Sequence, residues 1–447
     1  MRPSACPGTR LAPYNAAMER NDLRRRRARA LGPAYRLFYD VPLHIVRGEG
    51  AWLYDADGRR YLDGYNNVAV VGHAHPAVVD ALAAQAARLN SHTRYLHEGV
   101  VAYAERLTSL LPDGLDTCMF TCTGTEANDL AVRMARAVTG HTGAVTLADA
   151  YHGHSVAVYP LSTEDCPAQE RPPWVAVAPA PDEYRAGARN RRDAFAAERG
   201  AAVGEAAAGL SARGHGAALF LCDTAFSSNG VLMPPPAYLE TAFAGIRAAG
   251  GLALADEVQA GLWRLGEQAW GFRAAGVVPD IVTLGKPLGA GYPIGALVTR
   301  RDIAEAFARE HHYFNTFAGS PVAAAVGLAV LDVIEAEDIP RNVRATGRHL
   351  ADGLHGLQQR YPLVGDVRGA GLFFGIELVR DRATRAPAPD AAGRIRERLR
   401  ENGVLLGTTG PHGNVLKIRP PLVFGRAHAD LLLQVLEESL EWAQHGG

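Results

Sequence analysis

The sequence has 447 residues, of which 48% are hydrophobic and 21% are charged, and its formal net charge is −1. These values are ordinary for a globular enzyme, and the near-neutral charge gives no reason to expect nucleic acid or a membrane surface as a partner. The length predicts about three domain-sized units, although two domains with one large core also fit. No apolar run approaches the roughly 18 residues of a membrane span, so we predict no membrane segment.

Cysteine usage indicates a reducing compartment. The cysteines form no C-x-x-C pair, and the sequence has no secretory signal. An odd number of cysteines at low density is typical of reduced thiols, so we predict a cytoplasmic protein. The cysteines are Cys6, Cys118, Cys122, Cys166 and Cys222.

The first 75 residues predict a helix and then a small antiparallel sheet. The basic run 24–27 lies in a capped helix that stops at Gly32, and we interpret it as a solvated face. Alternating apolar segments separated by turn residues follow, which predicts antiparallel strands. The predicted strands are 44–47, 51–54 and 60–62.

Two histidines, His73 and His75, lie in the loop after these strands. A metal site would need at least a third ligand close by, and the sequence supplies none there. We therefore interpret both histidines as structural and predict no metal site.

A strand at 117–122 and a helical pattern at 130–138 enclose a loop that contains Gly124 and Thr125. Free backbone N–H groups, a hydroxyl and the positive end of a helix dipole converge at such a loop, which predicts an anion site. The same residues also fit an ordinary helix N-cap, and the two interpretations are compatible.

Strand and helix patterns alternate from about residue 117 to 300, which predicts a mostly parallel sheet with helices on both faces. A strand at 144–147 leads to Tyr151, an aromatic residue that can cover the face of a planar ring. A strand at 217–221 ends at Cys222 and Asp223. Between 162 and 216 the sequence predicts only a loop and a helix or two.

The region 251–295 contains two short apolar runs that end in polar residues. Residues 252–255 lead to Asp256 and Glu257, and residues 280–284 lead to Gly285 and Lys286. Unalternated apolar runs predict buried strands, and open α/β sheets bind ligands at the carboxyl ends of their strands. A lone lysine and a carboxylate there suit pyridoxal phosphate, which needs a Schiff-base lysine and an acid for its ring nitrogen. Taken alone, the same residues also fit strands that simply leave the core.

Helices dominate after residue 321. A long helix is predicted at 322–335, and strands are predicted at 364–368, 372–377 and 415–418. This pattern indicates a separate α+β domain. We predict an N-terminal segment of a small domain at 1–75, a large cofactor-binding domain at 76–334 and the rest of the small domain at 335–447.

In sequence order, several motifs resemble the class III aminotransferases of the fold-type-I pyridoxal phosphate superfamily, from about Leu37 to Phe424. Each motif is weak alone, but their order is specific. The resemblance implies an α/β fold with a mostly parallel central sheet in a large domain, and a smaller α+β domain formed by both chain ends. It also implies a homodimer, with a tetramer as the alternative. The motifs are 67–68 with 72–73, 122–128, 151–153, 255–259, 285–287, 315–317 and 417–421.

The resemblance also implies roles for particular residues. Lys286 would be the Schiff-base lysine and proton shuttle, Asp256 would pair with the pyridine nitrogen, and Tyr151 would complete the catalytic set. The cofactor-binding set implied by the family is Gly124, Thr125, Tyr151, His152, Asp256, Val258, Gln259, Lys286 and Thr316. In that set Val258 would pack on the ring opposite Tyr151, Gln259 would reach the ring hydroxyl, and Thr316 would come from the neighbouring subunit.

Within the family, the chain looks most similar to the branch of ethanolamine-phosphate and phosphohydroxylysine phospho-lyases. Many transaminases of the class have arginine where Lys417 stands, and a lysine cannot replace a bidentate guanidinium. Lys417, with Arg419, is therefore a candidate to meet a substrate phosphate or carboxylate. Two residues depart from the branch: Trp263 replaces a glycine, and Tyr292 replaces a histidine. They predict a different substrate, one with a flat ring that could stack on Trp263.

The residues that make a carbanion at the substrate Cα do not encode what happens to it, because the cofactor carries that chemistry. Transamination to a keto acid ranks first, since it is the commonest outcome in the class. Elimination from a phosphorylated amine ranks second, and β- or γ-substitution or carbon–carbon bond formation third. A silent homologue that only binds ligands is disfavoured by intact Lys286, Asp256 and Tyr151.

Overall fold

The computed structural model describes residues 20–445, so Cys6 lies outside the described residues. Helix α1 (Arg20–Leu31) ends at Gly32, whose φ of +74° is the left-handed conformation that favours glycine. Arg24 and Arg25 on this helix are exposed. The basic run is therefore a solvated helix face, as predicted.

A small sheet joins the two ends of the chain. Strands β1 (Ile45–Glu49), β2 (Trp52–Asp55) and β3 (Arg60–Asp63) are antiparallel, as the turn residues between them predict. The fourth strand comes from residues 404–405 and runs parallel to β3. Both chain ends thus build one unit, although the exact domain boundaries stay a prediction.

A seven-stranded sheet forms the centre of the molecule, with the spatial order β4-β10-β9-β8-β7-β5-β6. Only β10 runs antiparallel to its neighbours, and every other neighbouring pair is parallel. The mostly parallel sheet is therefore confirmed. Its strands are β4 (Thr117–Thr121), β5 (Gly143–Leu147), β6 (Val175–Ala178), β7 (Ala217–Asp223), β8 (Leu252–Asp256), β9 (Ile281–Leu284) and β10 (Gly295–Thr299).

Helices cover both faces of this sheet, which explains why β7 is buried along its whole length. Leu219 and Leu221 pack in the cluster that includes α4 and α8, whereas Phe220 and Cys222 pack in the cluster formed with α6 and α7. The helices of this region are α2 (Pro76–Ala86), α3 (Glu98–Thr108), α4 (Gly124–Thr139), α5 (Glu183–Ala186), α6 (Arg192–Ala212), α7 (Ala237–Ala248), α8 (Arg301–Ala308) and α9 (Pro321–Ala336).

The C-terminal part is an α+β unit, as predicted. Strand β12 lies between β11 and β16, and β16 also pairs with β15. Helices α10 and α11 pack against α12. The strands are β11 (Val364–Ala370), β12 (Phe373–Asp381), β13 (Ala386–Pro387), β14 (Val404–Leu405), β15 (Gly407–Thr409) and β16 (Val415–Ile418), and the helices are α10 (Ile339–Arg360), α11 (Pro389–Glu401) and α12 (Arg426–Gln444).

Among the helices between residues 20 and 445, none has the length and apolar character to cross a membrane.

Candidate active site

A cavity of about 320 Å³ opens at the carboxyl ends of β8 and β9. Asp256 is the last residue of β8 and pairs in register with Thr283 of β9, and Lys286 follows β9 after one glycine. Both Asp256 and Lys286 line the cavity. The two strand ends thus bring the carboxylate and the lysine to one site.

Lys286 is surrounded so that its neutral form is favoured. Burial lowers the pKa of its ammonium group, and the nearby charge of Arg419 lowers it further. Asp256 and Asp223 act in the opposite direction but do not cancel the effect of burial. A lysine with a lowered pKa is a better nucleophile and base near neutral pH than a solvated one.

Asp256 is buried and accepts several hydrogen bonds. Its Oδ2 lies 2.8 Å from Nδ1 of His152 and 3.0 Å from Nδ2 of Asn128, and its Oδ1 accepts the backbone N–H of Val258 at 3.0 Å. Hydrogen bonds to a carboxylate favour its charged form. The predicted His152 therefore contacts Asp256, and Asn128 is a neighbour that the sequence analysis did not assign.

The loop before α4 is both a helix cap and an anion cradle. Thr123 Oγ1 accepts the N–H of Glu126 at 3.1 Å, so the helix is capped here, but the cap residue is Thr123 and not the expected Thr125. Gly124 and Thr125 line the cavity, where Gly124 is the first residue of the helix. A Cβ on Gly124 would lie 2.7 Å from Val258, so this backbone position needs glycine. The free N–H groups of the first turn remain available to an anion.

Tyr151 and Val258 also line the cavity. Tyr151 is half-buried, and burial raises the pKa of its hydroxyl. Val258 is 7% exposed and is fixed by its hydrogen bond to Asp256. An aromatic side chain and a branched apolar side chain are thus available to a planar ring between them.

Gln259 lines the cavity, and both ends of its amide are engaged. Its Oε1 accepts Nη1 of Arg419 at 2.5 Å, and its Nε2 donates to Ser227 Oγ at 2.5 Å. Arg419 also donates to Asn67 Oδ1 at 3.2 Å and lies over the ring of Tyr65. Arg419 therefore holds Gln259 and is not among the residues that line the cavity.

Lys417 is a buried lysine in the middle of β16, where it pairs with Gly375 and Gly407. Burial and the charge of Arg419 lower its pKa well below the ordinary value, and the charge of Lys286 adds to the effect. Its Nζ lies 5.9 Å from the ring centroid of Phe373. Within residues 20–445, its ammonium group makes no hydrogen bond or ion pair with another side chain.

The other three residues with a predicted site role lie in three different places. Tyr292 lines the cavity, whereas Thr316 is exposed and lies outside it. Trp263 lines another cavity, beside Leu110 and Ile334, and is not among the residues that line the cavity at the strand ends. The expectation that it stacks on a substrate ring stays a prediction. Leu262 and Trp263 both have positive φ, +55° and +58°, which explains why glycine is the more usual residue in this turn.

The loop histidines are structural, as interpreted. His73 Nε2 lies 2.7 Å from Asp63, and His75 Nε2 lies 2.9 Å from Glu337. In the part of the chain that the structure describes, no cluster of side chains could hold a metal ion.

Asp223 is a cavity residue to which the sequence analysis gave no role. It ends β7, is 8% exposed, and accepts hydrogen bonds from Ala225 N and Ser227 N, each at 2.9 Å. Its position at a strand end beside β8 is the signal that could have identified it, because parallel strands present their carboxyl ends at one edge.

The family model for class III aminotransferases matches residues 37–440. The chain belongs to this family. Class III aminotransferases are dependent on pyridoxal phosphate, and the site fits that cofactor: a glycine cradle at a helix N-terminus, a buried carboxylate and a lysine line one cavity. The protein is therefore a pyridoxal phosphate-dependent enzyme, a transaminase or a lyase.

Relatives of this class III aminotransferase homologue include both types of enzyme. An alanine–glyoxylate aminotransferase 2-like protein of Drosophila melanogaster is 42% identical over 420 residues, which are 92% of this chain and 85% of that protein. An ethanolamine-phosphate phospho-lyase homologue of Caenorhabditis elegans is 38% identical, with 91% and 90% of the two chains covered. The solved structure of an Arthrobacter phospholyase in complex with phosphoethanolamine has a TM-score of 0.91 at 45% identity, with 94% and 99% covered.

Proposed function

We propose that the enzyme eliminates phosphate from a phosphorylated primary amine, with phosphoethanolamine as the first substrate to test. The observation that carries the proposal is Lys417, a buried lysine without an acidic hydrogen-bond partner among the described residues. It is not among the residues that line the cavity, but it lies close enough to Lys286, Asp223 and Glu164 to interact with their charges. A buried charge of this kind is costly unless a ligand pairs with it. The likeness to the Arthrobacter phospholyase supports the same substrate class.

The residues that line the cavity suit the cofactor as the family resemblance implies. Pyridoxal phosphate, when bound, supplies a ring that accepts electrons from the substrate Cα. Asp256 would hold the proton on its ring nitrogen, and Gly124 and Thr125 would hold its phosphate. Tyr151 and Val258 would cover the two faces of the ring. His152 supports Asp256, and Gln259 would reach the ring hydroxyl.

Lys286 would move the proton at the substrate Cα. Burial lowers the pKa of its ammonium group, which favours the free amine that would take that proton. The Cβ–O bond then breaks, and the phosphate leaves with the bonding electron pair. With one water, phosphoethanolamine would yield acetaldehyde, ammonium and inorganic phosphate, so the reaction needs no keto acid.

Lys417 would recognise the phosphate group. A dianion close to its ammonium group favours the charged form that burial disfavours. A lysine acts as a point charge, which suits a tetrahedral phosphate better than the planar carboxylate that a bidentate arginine clamps. Arg419 donates hydrogen bonds to Gln259 and Asn67, so it would position Gln259 from outside the cavity.

Transamination, which the sequence analysis ranked first, is the second candidate. Tyr292 lines the cavity at a position where the phospho-lyase branch is expected to have histidine. The similarity to the Drosophila melanogaster aminotransferase-like protein also favours it. Both reactions begin with loss of the same Cα proton, so Lys286 and Asp256 serve either of them.

One assay separates the two candidates. Holoenzyme is incubated with phosphoethanolamine, with and without pyruvate, and phosphate, acetaldehyde and alanine are measured. Stoichiometric phosphate and acetaldehyde without pyruvate, and neither product from the Lys286→Ala variant, are the expected result. If alanine forms only with pyruvate and no phosphate is released, the enzyme catalyses transamination and the proposed elimination is wrong.

The proposed functional unit is a homodimer in which Thr316 reaches the partner's cofactor. Thr316 is exposed, follows Phe314 by two residues and precedes Phe317, and these phenylalanines are 42% and 75% exposed. Exposed aromatic residues beside a polar residue fit a surface that a second copy of the chain covers. The predicted cytoplasmic location stays a prediction.

A further inference from the structure

Asn128 is a buried amide at the centre of the site that the proposed function leaves without a role. It lies in the first turns of α4, is 1% exposed, and contacts three other segments: the 151–153 loop, the end of β8 and β9. A buried polar side chain that connects several elements in this way fixes their relative positions only if all its hydrogen bonds are made.

The orientation of this amide follows from its partners. The backbone carbonyl of His152 can only accept, and it lies 2.8 Å from Nδ2 of Asn128, so the NH2 group must point toward it. Thr283 Oγ1 donates to Oδ1 of Asn128 at 2.6 Å on the other side. The second N–H of the NH2 group is therefore directed at Asp256 Oδ2, 3.0 Å away.

The two carboxylate oxygens of Asp256 differ in the number of hydrogen-bond donors that they face. Oδ2 faces two nitrogen groups, Nδ2 of Asn128 and Nδ1 of His152. Oδ1 accepts only the backbone N–H of Val258 and keeps an acceptor position. Since a carboxylate oxygen has two such positions, Asn128 and His152 saturate Oδ2 and leave Oδ1 as the oxygen available to a ligand.

We propose that Asn128 is a positioning residue that, together with Thr283, fixes the Asp256 carboxylate in the orientation that keeps the cofactor's ring nitrogen protonated. This inference rests on the proposed role of Asp256 at that nitrogen, and it holds for elimination and transamination alike. Thr283 sets the amide orientation, and the amide supplies the charge-stabilising donor. A hydrogen bond to a charged group is worth more than one between neutral groups, so losing this donor weakens the positioning of the carboxylate.

The test reads the ring nitrogen directly. Holoenzyme is reconstituted with pyridoxal phosphate labelled with ¹⁵N in the ring, and the nitrogen resonance is recorded for the unmodified enzyme and for Asn128→Leu and Thr283→Val. We expect the Asn128→Leu resonance to move toward that of an unprotonated pyridine and kcat to fall about 10- to 100-fold, as for loss of one charged hydrogen bond. Thr283→Val should move the resonance in the same direction by a smaller amount.

Asn342→Leu is the matched control. Asn342 has the same pattern of bonds far along the chain: Thr346 donates to its Oδ1, and its Nδ2 donates to the carbonyls of Leu422 and Phe424. This variant should lose stability but keep the ring resonance and kcat. If Asn128→Leu does not fold, Thr283→Val decides the question. An unchanged resonance in the folded, cofactor-loaded variants would overturn the proposal, whether or not the enzyme releases phosphate.

Discussion

At Lys417, burial favours the neutral amine, whereas the proposed binding of a phosphate group needs the charged ammonium form. Burial lowers the pKa of its ammonium group, so the folded chain is destabilised by it at every pH below the ordinary value of 10.5. A group whose pKa is lower in the folded state than in the unfolded state adds stability only as the pH rises. A stability cost of this kind fits the proposed role of Lys417 in binding a substrate.

Replacing Lys417 with methionine should therefore increase stability and reduce activity. The unfolding midpoint should rise, with the largest gain at neutral pH and below, and the gain should shrink as the pH approaches 10. The KM for phosphoethanolamine should increase about 10- to 100-fold, the effect of losing one charged hydrogen bond, while cofactor affinity stays the same. Steady-state kinetics and unfolding at several pH values check both expectations. Lower stability together with an unchanged KM would contradict the proposed role.

Trp263 leads to a second prediction at the residue scale. Replacing it with glycine relieves a left-handed backbone conformation that costs roughly 1 kcal/mol for a residue with a side chain. The same change removes apolar contacts beside Leu110 and Ile334, worth about 2–3 kcal/mol for a largely buried aromatic. We expect a net loss of about 1–2 kcal/mol in the free energy of unfolding and an unchanged order of preferred amines. A changed substrate profile would support the stacking hypothesis.

Several site residues could be predicted from the sequence because they follow predicted strands, although Asp223, which also ends such a strand, was given no role. Asp256, Lys286 and Gly124 follow predicted strands, and all three line the cavity. The direction of a side chain in a tight turn is not encoded in that way, and Trp263 lines a different cavity from the one at which it was expected. Asn128 was missed because a helical asparagine gives no signal until its tertiary partners are known.

At the scale of elements, the end of β8 is tied to its neighbours by Glu257. Its Oε1 accepts Thr224 Oγ1 at 2.7 Å and Phe272 N at 2.9 Å, and its Oε2 accepts Gly271 N at 2.8 Å. Burial raises the pKa of this carboxyl group to about 7, although the three hydrogen bonds oppose the shift. Glu257 thus joins the segment after β7 and the 271–275 turn to the strand that carries Asp256.

The raised pKa predicts a pH-dependent contribution to stability. Between pH 4.5 and about 7 the carboxyl group is protonated in the folded state and ionised in the unfolded state, so stability falls as the pH rises through this window. Glu257→Gln cannot ionise and lacks this component. The difference in unfolding free energy between the unmodified enzyme and the variant should therefore fall by about 3 kcal/mol from pH 5 to pH 8. Chemical unfolding at several pH values tests this, and a constant difference would contradict it.

Two strands of the central sheet were not predicted individually. Strand β6 (Val175–Ala178) has four residues and lies in a region rich in proline, alanine and arginine, where periodicity carries little information. Strand β10 (Gly295–Thr299) lies between β4 and β9 and runs against both. Alternating strands and helices predict a parallel sheet, but this pattern does not show that one strand runs in the opposite direction.

At the scale of the whole molecule, the fold class could be predicted because two signals agreed. Buried apolar runs alternate with helices through the large domain, and the motif order resembles one family. Pairing of the chain ends was implied only by the resemblance, since the parallel contact between Leu62 and Val404 joins residues with no local signal. Long-range pairing of this kind depends on tertiary packing.

The exposed apolar surface around the 92–101 segment and the 314–317 segment has no cover within residues 20–445. Tyr95, Leu96 and Phe317 are 68%, 103% and 75% exposed, and His92 contacts both Tyr95 and Phe314. Such a patch fits an isologous contact between two copies of the chain. Thr316 lies in this surface, so in the proposed dimer the subunit contact and the cofactor site should depend on each other.

Mixed dimers test whether Thr316 acts in the neighbouring subunit. Lys286→Ala chains and Thr316→Ala chains are each inactive or impaired at limiting cofactor, because one lacks the lysine and the other a phosphate donor. When the two are co-expressed, some dimers contain one chain of each type. If Thr316 crosses the interface, such a dimer has one intact site, because Thr316 of the Lys286→Ala chain completes the site that contains Lys286 of the other chain. Statistical mixing should restore about a quarter of the unmodified activity. If Thr316 acts within its own chain, no mixed dimer contains an intact site, and the mixture should show no more activity than the two variants measured separately.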